Sequence, residues 1–224
     1  MAPAEIAPGI WRWTARHPEW HPGEFGAEVA AFALQVGDDL LLIDPIVPEE
    51  EGAGTAVLDL LDRLAKGRTT TSLITIGYHV RSAEQLANRY GGRIHGPHTC
   101  AKRLTDEKLL TDFAPDSDGP AGTRTFGIGR PRRSERPIWI PSHRALAFGD
   151  ALVANPAGEL RIWVQDPVDE KVRRFYAQRF APTLEPLLEL PVEHVLVTHG
   201  EPVVGNGAAA LREAAAAEPW YHHG

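Results

Sequence analysis

Apolar positions along this chain follow two rhythms. Short runs at Ile10 to Thr14, Val29 to Val36, Leu40 to Ile43, Leu73 to Ile76 and Arg93 to His95 read as strands, bounded by polar or turn-forming residues. So do Ile138 to Ile140, Ala145 to Phe148, Leu160 to Val164 and His194 to Val197, the last being the final strand expected. Helical spacing appears at Val57, Leu58, Leu60, Leu61, Leu64 and Ala65, stopped by Gly67, and at Ala83, Leu86, Ala87 and Tyr90, stopped by Gly91-Gly92. Asp169 to about Glu189 reads as helix interrupted by Pro182 and Pro186, and an alanine-rich helix follows Gly207. Gly37-Asp38-Asp39 predicts a hairpin turn, as does Pro141 to Arg144. From Pro97 to Gly122 the pattern is mixed, with a short helix near Ala101 to Leu104. Strands alternate with helices, and no low-complexity linker divides them. The pattern predicts one α/β domain over residues 1–224, made of two similar halves.

The segment from Ser72 to Leu86 organises this pattern. Its strand leads through a corner, Gly77 to Arg81, into a helix whose start Ser82 and Gln85 mark as a capping box. In layered α/β proteins ligands bind at the carboxyl ends of strands. Four such ends carry chemistry here: Asp44, His79, Asp150 and His199.

Composition narrows the partners. A chain of 224 residues buries roughly 70% of its unfolded surface as one domain, with no need of disulfides. The single cysteine, Cys100, excludes an internal disulfide and a cysteine-based zinc site, and fits a reducing compartment. A net charge of −7 argues against nucleic acid, and the local cluster Arg130, Arg132, Arg133 and Arg136 lies among prolines and glycines as a loop. No apolar run approaches the about 18 residues of a membrane span, and Met1 to Gly9 lacks signal-peptide features. The expectation is a soluble cytoplasmic protein acting on a small molecule, with no nucleic-acid or membrane partner. Oligomeric state is not legible.

Three segments in order, Leu41-Leu42-Ile43-Asp44-Pro45, Phe148-Gly149-Asp150-Ala151 and Val197-Thr198-His199-Gly200-Glu201-Pro202, resemble those of metallo-β-lactamase-fold proteins, in the branch that includes glyoxalase II-like hydrolases. The resemblance implies a four-layer αββα sandwich with its site along one edge of the two sheets. In that family a His-x-His-x-Asp-His run after the central strand binds two metal ions. Aligned on the strand, His79 takes the second histidine's place, and Gly77, Arg81 and Ser82 stand where the other ligands belong. Aligned on the helix, His79 becomes the last histidine and Tyr78 replaces the aspartate. The strand register is preferred, because strand ends fix where side chains point.

The family's next histidine falls among Arg130, Pro131 and Arg132, where there is none. His143 reads as a turn residue away from His79 and His199. Asp150 matches the family's bridging carboxylate, His199 its last histidine, and Asp44 a structural aspartate. The resemblance thus implies His79, Asp150 and His199 as catalytic residues and as ligands of one divalent, zinc-like ion, or of none. Arg81, Tyr78, Trp20 and His21 are the substrate-binding candidates, Arg81 turned toward Asp150. His17, Trp20, His21 and Phe25 sit where relatives carry a covering loop. Two functions remain open: a hydrolase of small thioesters, esters or lactams, or a non-catalytic member of the fold that binds a small anion. Whether the chain is an enzyme is open with them.

Overall fold

The computed structural model describes residues 2–21, 26–129, 134–165 and 167–221. Strands β1 (Ala4–Ala7), β2 (Ile10–Arg16), β3 (Glu28–Val36), β4 (Asp39–Ile43), β5 (Thr69–Leu73), β6 (Arg93–Gly96) and β7 (Leu110–Asp112) form one sheet in sequence order. Helix α1 (Glu51–Leu64) connects β4 to its parallel neighbour β5, and α2 (Ala83–Tyr90) connects β5 to β6. A second sheet has the order β14-β13-β10-β9-β8, from β8 (Arg124–Thr125), β9 (Ile138–Ile140), β10 (Ala145–Phe148), β13 (His194–Val197) and β14 (Val203–Val204). A small third sheet joins β11 (Leu152–Ala154), β12 (Leu160–Val164) and β15 (Trp220–Tyr221). Helices α3 (Glu170–Phe175), α4 (Glu185–Leu188) and α5 (Gly207–Ala216) belong to the second half.

Side-chain alternation along the strands builds the layers. On β3, Val29, Ala31 and Ala33 meet Val57, Leu61 and Leu64 of α1, while Ala30, Phe32 and Leu34 face the second sheet. On β10, Ala145 and Ala147 return that contact, and Leu146 and Phe148 turn to Leu187 and Leu211 on the far side. The expected helix–sheet–sheet–helix order follows. Both faces of β3, β4 and β10 are covered, so they read as nearly unbroken apolar runs.

Several expectations need correction. The central strand is Thr69–Leu73, not Leu73 to Ile76. Thr70, Thr71 and Ser72 are buried yet polar, so hydropathy alone hides them, and the ladder ends where the Asp44 carboxylate takes the Thr75 N–H. The capping box does not form: no side chain caps α2, and the Ser82 hydroxyl instead accepts from the Val47 N–H at 2.9 Å. His194–Val197 is not the last strand, since β14 and β15 follow. The short helix near Ala101 is a 3-10 turn over His98–Arg103. The interrupted helical stretch is real, passing from α3 through a π turn at Tyr176–Phe180 and a 3-10 turn at Ala181–Leu184 to α4. Arg130, Arg132 and Arg133 lie outside the described residues, as do Phe25, His222 and His223. Among the described residues no helix is long and apolar enough to cross a membrane.

The role of Ser82 is open to a direct test by urea unfolding. Ser82→Ala removes the acceptor that ties Val47 to the corner and is expected to cost ~1 kcal/mol. Exposed Gln85→Ala is expected to change stability by less than about 0.5 kcal/mol. Equal losses at both positions would restore the capping box.

Candidate functional site

The site begins at Asp44. This residue leaves β4 with φ of 44°, a left-handed turn that aspartate tolerates better than most side chains. The turn buries its carboxylate beneath the corner after β5. One oxygen accepts from the Thr75 N–H at 2.8 Å, and the other from the Thr75 hydroxyl at 2.5 Å. That second oxygen also lies 2.9 Å from His79 Nδ1. A carboxylate there assigns the proton to Nδ1 and leaves Nε2 facing the cavity. Asp44 is structural, as expected, and its structural task is to aim His79.

The second half brings Asp150 to meet it. His79 Nε2 lies 3.4 Å from Asp150 Oδ1, and His199 Nε2 lies 3.6 Å from the same oxygen. The Tyr78 hydroxyl donates to Asp150 Oδ2. Two features that sequence reasoning missed hold this geometry. Buried Glu135 accepts the N–H groups of Gly149, Asp150 and Ala151 at 2.8–3.1 Å, fixing the turn that carries Asp150. Gly149 packs so close to the corner that a Cβ would stand 2.7 Å from the Thr75 hydroxyl. On the other flank Arg12 binds the Gly200 carbonyl and Glu201, anchoring the loop after His199. The sheets themselves are tied here by the Ala30 N–H donating to the Thr198 carbonyl at 2.7 Å.

A cavity of about 400 Å³ opens over these groups. Its walls include Tyr78, His79, Arg81, Asp150, His199 and Trp20, together with His17, Arg103, Trp163, Gln165 and Tyr221. Trp163 faces the cavity because Ile162 and Val164 on the same strand face the core. Tyr221 arrives through the parallel pairing of β15 with β12, a long-range contact with no local signal. His21 is exposed beside the cavity and is not among its lining residues. As expected, His143 sits in the turn before β10, and its ring lies against Gly9. The family's missing histidine position, Arg130 to Arg132, lies outside the described residues.

Arg81 lies in the cavity wall, but its contacts differ from those expected. Its Nη1 donates to the carbonyls of Asp44 at 3.1 Å and Ala30 at 3.4 Å, not to Asp150. Asp150 did not require a guanidinium, because Tyr78 and His79 already serve it. Arg81 Nε and Nη2 are buried with no hydrogen-bond partner. The backbone at Arg81 is left-handed, φ 42°, an uncommon conformation for a long side chain and one that functional corners retain.

Charge sets the protonation pattern. Burial and the Arg81 cation pull His79 down, but the Asp150 and Asp44 carboxylates outweigh them and hold it above its ordinary value. Burial is the largest influence on Asp150 and opposes its ionisation, yet His79, His199 and Tyr78 hold it far below the usual carboxylate range. His199 is pushed down to about 4, chiefly by burial, with His79, Arg81 and His17 adding to the effect against Asp150. His17 is lowered by burial and by Arg81. At neutral pH the site therefore pairs an ionised Asp150 with a neutral His199.

Among the described residues, the corner after β5 does not supply the donors of a two-metal centre. Ser82 has its hydroxyl committed to Val47, Gly77 is pressed against Thr99, and Arg81 cannot ligate a cation. Among the described residues no group of three or more histidine, cysteine, aspartate and glutamate side chains is arranged to hold a metal ion.

No protein-family model and no curated protein matches the sequence. Solved structures do match the fold. A metallo-β-lactamase from Erythrobacter litoralis, with β-mercaptoethanol in its active site, is 14% identical with a TM-score of 0.63, covering 95% of each chain. A metallo-β-lactamase family protein from Thermus thermophilus is 15% identical with a TM-score of 0.59, covering 94% of this chain and 78% of that one. The chemotaxis sensor ODP, captured as a peroxy diiron species, is 11% identical with a TM-score of 0.60 over 98% and 96% of the two chains. This chain has the metallo-β-lactamase fold.

The depressed His199 makes stability depend on pH. The unfolded chain protonates this histidine near 6.5 and the folded one near 4, so stability is greatest above 6.5 and falls as pH drops toward 4. The loss is on the order of 3 kcal/mol. His79 acts in the opposite sense, its contribution complete below 6.5 and fading as pH rises through its folded value. Urea unfolding in the presence of a chelator should show a shallower slope between pH 4 and 6.5 in His199→Gln than in the native chain. Parallel profiles would mean that His199 is not buried neutral.

Proposed function

We propose that this chain is a metallo-β-lactamase-fold protein with a degenerate metal site, whose cavity binds a small organic anion instead of running two-metal hydrolysis. The observation that carries this reading is Arg81. A cation occupies the corner, with Nη1 tied to backbone carbonyls and with Nε and Nη2 buried and unpartnered. An unpaired buried donor on a charged group costs more than a neutral one, and an oxyanion relieves that cost. The fold does not argue for hydrolysis by itself, since a chemotaxis sensor shares it. The binding candidates are Arg81, Tyr78 and Trp20. His79, Asp150 and His199 then act as the polar floor of the pocket.

One observation favours a second reading, a hydrolase of small thioesters, esters or lactams carrying a single divalent ion. Asp150 Oδ1 sits between two imidazole Nε2 atoms, at 3.4 and 3.6 Å. Those three side chains are the donors such an ion would find at that point.

Elemental analysis separates the readings. Protein purified without chelator, then incubated with zinc or manganese, is expected to retain less than one equivalent per chain. Two equivalents would overturn the proposal. One equivalent, lost in His199→Ala together with esterase or thioesterase activity, would favour the hydrolase.

A further inference from the structure

Resting on the anion-binding reading, we infer that the ligand is a carboxylate carried on a planar, aromatic body. Two features of the cavity lead there. The first is its unpartnered donors. Arg81 Nε and Nη2 form the edge of the guanidinium that meets a carboxylate through two parallel hydrogen bonds. Trp20 Nε1, in the same cavity wall, is likewise buried and unpartnered. All three atoms are donors, so the complementary group is an acceptor with more than one oxygen.

The second feature is the rest of the wall. Trp20, Tyr78, Trp163 and Tyr221 all line one cavity of about 400 Å³. That volume lies at the small-ligand end of the usual range, roughly 300–1,000 Å³. Aromatic walls bury and stack on a flat apolar body, with edge-to-face or offset geometry preferred. A bare inorganic anion would leave these walls uncovered, and a neutral aromatic would leave the donors unpaired. Elsewhere in the wall Arg103 donates to Glu19 at 3.2 Å, Tyr78 donates to Asp150 Oδ2, and Asp150 Oδ1, which has no hydrogen bond, lies 3.4 and 3.6 Å from the Nε2 atoms of His79 and His199. The fork of Arg81 is the cationic part of the wall that has no hydrogen-bonded counterpart.

The test uses the full-length protein and four probes: benzoate, benzamide, acetate and inorganic phosphate, titrated by calorimetry. Benzoate is expected to bind at least about tenfold more tightly than each of the others. Arg81→Lys keeps the charge but loses the fork, and is expected to weaken benzoate at least about tenfold. Trp20→Leu, which leaves the corner intact, is expected to weaken it as well, so the inference does not depend on Arg81 variants folding. Benzamide binding as well as benzoate would overturn the carboxylate, and acetate or phosphate binding as well would overturn the aromatic body. In either of those cases the anion-binding reading survives only if an anion still binds. Failure of benzoate, acetate and phosphate alike would overturn both.

Discussion

The Asp44 carboxylate is the contact on which the site depends. Two donors of Thr75 and one of His79 converge on it at the point where β5 leaves its ladder. A carboxylate this deeply buried is tolerated only when its acceptor positions are filled. The same bonds that satisfy Asp44 therefore end the strand, close the corner and fix the His79 ring. The Asp44 carbonyl holds Arg81 at 3.1 Å, so one residue orients both side chains that the corner contributes.

Opposite this corner, Glu135 plays the matching part. Its carboxylate gathers three successive backbone N–H groups around Asp150, presenting that side chain without a helix. Gly149 joins the two devices, because any side chain there would collide with Thr75. Asp150 thus arrives within reach of His79 and His199 through rigid backbone rather than through side-chain choice.

On the proposed reading, the balance of charge matters more than the number of ligands. Asp44 and Asp150 face Arg81 and a His79 whose pKa is raised, so the carboxylates are answered by cations belonging to the chain itself. Burying such a network costs desolvation, and removing one member leaves another uncompensated. A fold can host several chemistries, because function lives in the site and not in the fold.

The sequence by itself determined the succession of strands and helices, because apolar runs and helical spacing are local signals, while the four layers came from the family resemblance and from the packing of β3 and β10 between helices and sheet. It also placed Asp44, Asp150 and His199 just past strand ends, since a strand's apolar run stops where its polar residues begin, whereas His79 lies six residues beyond the end of β5, in the corner that Asp44 closes. It could not show the strand Thr69–Leu73, whose buried threonines pass for surface residues, or the true partner of Ser82. Glu135 carried no local signal, because its donors lie 14 to 16 residues away along the chain. Tyr221 reached the cavity only through the pairing of β15 with β12, while Trp163 faces it by alternation along β12. Arg81 was legible as a cation in the corner, but its partners were not: hydrogen bonds to the carbonyls of Ala30 and Asp44 depend on backbone brought together from distant strands, and no spacing along the chain encodes that.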